Sequence, residues 1–478
     1  GTSPVSTTDA TVANTGIGTV NLSGVEVANV VAGTQNVTVN GSGEDDDLTY
    51  QPTGAEAGTV TKAGLGVVTN LSGVGDLTID GIGGDDTLTV VGTTAVDAFT
   101  VTATSVVHAS LQDANTISNV DALSVSGGES ADTFGVTAGA IPIFIDGGDA
   151  IGAGDAITIA ADVNSATFNT GPETDEGSFA IGGAAGLVSF DHVESLTVVG
   201  TSVAGNAATV NGNSADNDIT LTATGTDDFT VGIDGQTVTF TDFNSATLNG
   251  GDGDDDVTVT YLDGTAFTTT VAVNGQSPTG HVGDTLHVEG TTSGETIALT
   301  ASTITVVGSG AITYGTVEGL SIDALGGADT ITVTGSTAYD YTPSGSADAG
   351  TLLADSLPIS FSNLGSGETL NLDGTSLVAH GTDSDNTFAL SSTGLVLDSR
   401  VNITRTGLTT LTLDGLAGDD TFTIGSDHGY ATVNVDGGSP SNTDVATITA
   451  DGLNPVTVTL GTSPVSTTDA TVANTGIG

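Results

Sequence analysis

Aspartates set in glycine turns are the residues of this chain best equipped for chemistry. Residues 250–258, GGDGDDDVT, carry Asp252, Asp254, Asp255 and Asp256 among three glycines that keep Cβ atoms out of the way. Related turns hold Asp85 and Asp86 in residues 81–90 (GIGGDDTLTV), Asp419 and Asp420 in residues 415–424 (GLAGDDTFTI), Asp329 in residues 324–333 (ALGGADTITV), and Asp45 and Asp46 in residues 41–50 (GSGEDDDLTY). Ca2+ is a hard cation that takes six to eight oxygens at about 2.3–2.6 Å. Neighbouring Asp side chains and Gly-turn carbonyls can supply them, so these eleven aspartates are the predicted ligands and Ca2+ the predicted structural cofactor. Two plainer readings stand beside it. Asp and Gly are ordinary turn formers, and a halophilic origin would make the acids diffuse salt binders with no defined geometry.

Other chemistries lack their residues. Lys62, Arg400 and Arg405 are the only basic side chains against 58 Asp and Glu, for a formal charge of -55. Such a surface suits cations and excludes nucleic acid and anionic membranes, which need Lys or Arg to neutralise phosphate. Zero Cys removes disulfides, thiolate metal sites and Cys nucleophiles. Lys–Asn isopeptide bonds, a staple of some adhesins, are nearly excluded by the single Lys, which leaves bound metal as the expected staple. The six His (His108, His192, His281, His287, His380, His428) are scattered and read as structural rather than as zinc ligands. Polysaccharide lyases and glycosidases also occur on β-helices, but no basic residue sits with a carboxylate pair in a recognisable constellation. The chain therefore reads as no enzyme, with a polysaccharide-acting β-helix as the remote alternative.

Residues 250–258 match the G-G-x-G-x-D-x-U-x nonapeptide throughout, and here the chain resembles the RTX, or haemolysin-type, calcium-binding repeat proteins. That resemblance implies a parallel β-roll with Ca2+ between successive turns. Gly83-Gly84-Asp85-Asp86 and Gly418-Asp419-Asp420 match in part, and nowhere do two nonapeptides follow directly. The broader likeness is to large secreted bacterial repeat proteins with scattered turns of this kind.

Strands must position these turns. Each acidic turn runs into a segment alternating Thr with aliphatics, as in Asp329-Thr330-Ile331-Thr332-Val333, the period of a half-buried strand. Gly occurs 70 times and Pro 10, enough to place a turn after almost every strand, and no segment has a helical period. The fold expected is all-β: a β-solenoid, specifically a right-handed parallel β-helix, with tandem antiparallel β-sandwich modules as the alternative. Three recurring strand classes suggest three faces visited in rotation. The outward Thr pairs, Thr330 with Thr332 and Thr421 with Thr423, resemble the Thr arrays of ice-binding solenoids, although Thr is also simply a favourable strand residue.

Residues 1–18 return unchanged as residues 461–478, so residues 1–460 form one period of a tandem array without clear linkers, and 461–478 begin the next copy. Repetition on this scale extends a surface without adding new chemistry. The expectation is a structural protein of an extracellular filament, fibre or surface coat, its copies self-associating end to end and held by divalent cations. The alternative is the stalk of a calcium-dependent or ice-binding surface adhesin. No apolar run within these residues is long enough to insert in a membrane, and the expected location is outside the cell or on its surface.

Overall fold

Thr-aliphatic alternation produces strands that bury every second side chain, and here the buried sets stack on one another from coil to coil. In the computed structural model, which describes residues 10–14, 18–149, 154–201, 205–277, 283–365, 367–439, 443–460 and 470–473, every regular element is a β-strand. Parallel pairing dominates, and the fold is a β-solenoid. Two compact units are present, Gly1–Asn211 with Thr230–Asn244 and Gly212–Phe229 with Ser245–Gly478.

In the first unit, strands Asp47–Gly54, Thr87–Val91, Ala122–Glu129, Ile143–Asp149 and Val188–Asp191 form one parallel ladder, and Ala98–Thr102, Thr133–Thr137, Ala156–Ala160, Ser195–Val199 and Gln236–Thr241 form another. The chain alternates between these two sheets. The second unit repeats the plan, with Asp218–Ala223, Asp256–Thr260, Thr285–Glu289, Gly319–Asp323 and Leu357–Ser362 in one ladder and Thr296–Leu299, Thr330–Val333, Thr369–Asp373 and Asn402–Thr406 in the other.

Two sheets, not three faces, are therefore the rule. The third strand class arises because some coils carry an extra reversed strand: Ala57–Lys62, Gly177–Ile181, Thr303–Val306, Gly350–Ala354 and Gly394–Leu397 each lie antiparallel to their neighbours. Each reversed strand is inserted in the sheet between two forward strands and separates one parallel run from the next, and the added hairpin lengthens its coil, which explains the uneven spacing of the turns.

The core is narrow and in register. Ile331, Leu370 and Ile403 face one another on successive strands and are buried. The few aromatics stack as well: Phe99 lies 5.6 Å from Phe134 and Phe388 4.8 Å from Phe422, centroid to centroid, each pair being register partners. Phe134→Ala should cost about 3–5 kcal/mol, the usual range for an emptied aromatic site, read as a lower urea midpoint with an unchanged slope.

Candidate functional site

The acidic turns resolve into two rows because consecutive residues of extended backbone point to opposite sides. In each Asp-Asp pair the first side chain faces solvent and the second faces inward. Asp45, Asp85 and Asp419 are exposed and Asp254 half-buried, whereas Asp46, Asp86, Asp255, Asp329 and Asp420 are buried. The outer row is stacked: the backbone N–H of Asp85 donates to Asp45 Oδ1 (2.9 Å), that of Asp254 to Asp216 Oδ1 (3.0 Å) and that of Asp419 to Asp385 Oδ1 (2.9 Å). Asp252 accepts from the Ser277 hydroxyl at 2.9 Å and Asp256 from that of Thr285.

The inner row is a spine of carboxyl groups running from coil to coil. Every member sits just before a strand, where the turn leaves its backbone N–H without a ladder partner, and the acid one coil further on accepts that hydrogen. Asp97 N–H donates to Asp132 Oδ1 (2.6 Å), Asp132 N–H to Asp155 Oδ1 (2.6 Å) and Asp155 N–H to Glu194 Oε2 (2.6 Å). Asp46 donates to Asp86 (2.9 Å) and Asp86 to Asp121 (2.9 Å). In the second unit the same chain runs Asn217, Asp255, Asp284, Glu318, each link 2.8 Å, and again Asn386, Asp420, Asp444. Glu295 donates to Asp329 at 2.7 Å.

In most of these turns a glycine five residues before the acid makes room for it, while Gly147 and Gly275 do so for Asp155 and Asp284 from further back and Ala324 stands in that place before Asp329. A Cβ on Gly81 would collide with Asp86 Oδ2 and with the Asn119 carbonyl of the next coil; one on Gly127 would meet Asp132 Oδ2 and the Gly147 carbonyl, and one on Gly415 would meet Asp420 Oδ2. The spacing Gly-x4-Asp, rather than the nonapeptide, is thus the unit that the fold reads. It recurs at Gly41/Asp46, Gly92/Asp97 and Gly250/Asp255, with Asn or Glu as the acceptor in Gly212/Asn217, Gly381/Asn386 and Gly290/Glu295. Sequence reasoning passed over this spacing, although it is visible once the residues between are ignored.

Two kinds of turn follow from the residue after that glycine. With Thr93 or Thr382 in that place, its N–H caps the second oxygen of Asp97 (2.6 Å) or the side-chain oxygen of Asn386 (2.7 Å). With Ile82 or Leu416, the residue adopts a left-handed backbone (φ 78° and 68°), and its N–H turns instead to Asp80 Oδ1 (3.0 Å) or Asp414 Oδ1 (3.3 Å). Oδ2 of Asp86, Asp132, Asp155, Asp284, Asp329 and Asp420 is then buried with no hydrogen-bond partner among the described residues. Burial first, and neighbouring carboxylates second, push the pKa of all six upward, to about 6 for Asp132 and for Asp329.

None of the eleven predicted ligands belongs to a group of three acids within reach of one ion among the described residues. What the register does bring together is acid against acid across adjacent coils: Asp218 opposite Asp256, Glu289 opposite Asp323, and Asp414 opposite Asp436. Two of the histidines pair with acids. His108 Nε2 meets Asp97 at 2.8 Å, and His380 lies between Asp340 and Asp414 at 2.9 Å from each; His281 lies outside the described residues. Compared with known proteins, the chain matches no family model and no curated sequence.

Two predictions follow from the spine. Gly81→Ala should destabilise by about 1–3 kcal/mol because the Asn119 carbonyl is backbone and the buried Asp86 carboxyl is held by the Asp46 N–H, whereas Gly83→Ala, with open space around it, should be neutral or stabilise by up to about 1 kcal/mol. Equilibrium unfolding of the two variants checks this. The second concerns pH: Asp132 and Asp329 titrate near 6 when folded and near about 3.9 when unfolded, so between these values the folded chain holds protons that the unfolded chain has lost. Stability should therefore rise as pH falls through 6 and level off near about 4. Urea midpoints across this range should show that slope, and the double variant Asp132→Asn, Asp329→Asn should flatten it.

Proposed function

We propose that this chain is a structural segment of an extracellular filament, fibre or surface coat, in which 460-residue copies join end to end and divalent cations bridge acids on neighbouring coils. The observation that carries the reading is the solenoid itself. Each coil is held by contacts to the coils before and after it, so the architecture adds length by repetition.

The repeated segment supports end-to-end joining. In the first copy, strand Ala10–Asn14 pairs antiparallel with Gly18–Leu22, Val12 opposite Val20. In the second copy the same residues, Ala470–Ala473, pair with Thr457–Leu460, Val472 opposite Val458. The remainder of residues 461–478 lies outside the described residues. Electron microscopy of the native assembly tests the reading: uniform filaments or a lattice support it, and single tethers tipped by a separate domain overturn it in favour of an adhesin stalk.

The register-paired acids support the calcium part. Like charges directly opposite each other on adjacent strands repel, and a hard divalent cation with its waters relieves that repulsion with carboxylate ligands. Among the predicted ligands, Asp256 stands in such a pair and is the residue to test. Ca2+ at about 100 times its dissociation constant should add about 2.7 kcal/mol per site. Excess chelator at low salt should lower Tm and matched monovalent salt should not restore it. Asp256→Asn should raise the calcium-free Tm and shrink the calcium response; equal Tm with and without chelator would remove the calcium part.

A further inference from the structure

The single lysine of the chain is spent on a buried carboxylate. Lys62 ends the reversed strand Ala57–Lys62, which pairs antiparallel with Asp47–Gly54 so that Lys62 lies opposite Leu48 and beside the turn that holds Asp46. Its Nζ contacts Asp46 Oδ1, and the Asp46 side chain is fully shielded from solvent while that of Lys62 is 25% exposed. The Ser42 hydroxyl touches both groups, 3.0 Å from Nζ and 3.0 Å from Oδ1, and the Ser42 N–H donates to Oδ2. Asp86 of the next coil accepts the Asp46 N–H and covers the site from that side. Exposed carboxylates abound on this surface, and any of them would serve an amine that needed only a counter-charge.

We propose that Lys62 and Asp46 condense to form an intramolecular isopeptide bond, which closes residues 46–62 into a covalent loop. The condensation takes two hydrogens from Nζ, and the first passes to a carboxylate oxygen of Asp46 in contact with it, giving an amine and a carboxylic acid. Nζ attacks Cγ of Asp46. As the N–C bond forms, one Cγ–O bond breaks, and that oxygen departs as water with its own hydrogen and one from Nζ, which the Ser42 hydroxyl relays. No oxidant or activating group is needed, because the reaction exchanges an amine and an acid for an amide and one water. Fixed contact between amine and acid supplies the effective concentration, which reaches about 10⁵–10⁸ M for well-oriented groups. The expectation that a chain without Cys must rely on bound metal as its staple is thereby widened: one covalent cross-link lies within reach of its one lysine.

Denaturing mass spectrometry of the whole chain reads the bond directly. The expected result is a mass one water below that of the sequence, with trypsin cutting the denatured chain after Arg400 and Arg405 but not after Lys62. Lys62→Arg should restore both the full mass and cleavage at position 62, Asp46→Asn should lose ammonia in place of water, and Ser42→Ala should slow the mass change. A wild-type chain of full sequence mass, or a missing water that maps to another segment while trypsin cuts after Lys62, overturns the proposal and leaves a buried ion pair. Neither result depends on whether copies form filaments.

Discussion

The spacing between successive coils governs what every turn of this protein can contain. Parallel ladders set neighbouring strands about 4.7–4.9 Å apart, and at each corner that distance must accommodate two backbones and whatever satisfies the amide preceding the next strand. A carboxylate from the following coil is short enough to fit and accepts well; a hydrogen bond to a charged group contributes about 1.5–3 kcal/mol. Its second oxygen then occupies the place where a Cβ would stand five residues earlier, as Gly81, Gly127 and Gly415 show. Glycine and acid are thus two halves of one packing solution.

That solution divides the negative charge between two environments. Outer acids such as Asp45, Asp85 and Asp419 keep their water and repel one another through solvent. Inner acids give up that water, and those in turns like that of Ile82 carry one oxygen with no donor. Protonation relieves them without moving an atom of the backbone, and burial raises their pKa values. Caps from Thr93 and Thr382 show the other remedy, an amide aimed at the second oxygen.

Much of the fold could be read from the sequence because its signals are local. Thr330-Ile331-Thr332-Val333 alternates as its strand does, and Ile331 and Val333 are buried as that alternation requires. The reversed strands were not legible, since Ala57–Lys62 and Gly394–Leu397 alternate like any other strand and only pairing reveals their direction. The site was half legible. Composition and spacing picked out the aspartates, but a nonapeptide template groups Asp254 with Asp255 as joint ligands, and the backbone sends one outward and the other into the spine. Lys62 was noticed as solitary; that it meets Asp46 depends on a hairpin inside the coil, which no local pattern announces.

The spine has a further consequence for the ends of any such stack. Within a run of the spine an inner acid accepts the amide of the coil before it and donates its own amide to the coil after it, as Asp132 does between Asp97 and Asp155, and such a run ends inside the solenoid, where the Thr93 N–H caps Asp97 and the Glu194 N–H returns to the Asp155 carbonyl. Burying an unmet polar group costs about 1–3 kcal/mol, which those local partners spare the end of a run. Ladder edges leave unpaired strand groups at an end of the stack. A further coil would pair that edge. The corners thus close within the coils that form them, and the strand edge is what an end of the stack leaves open.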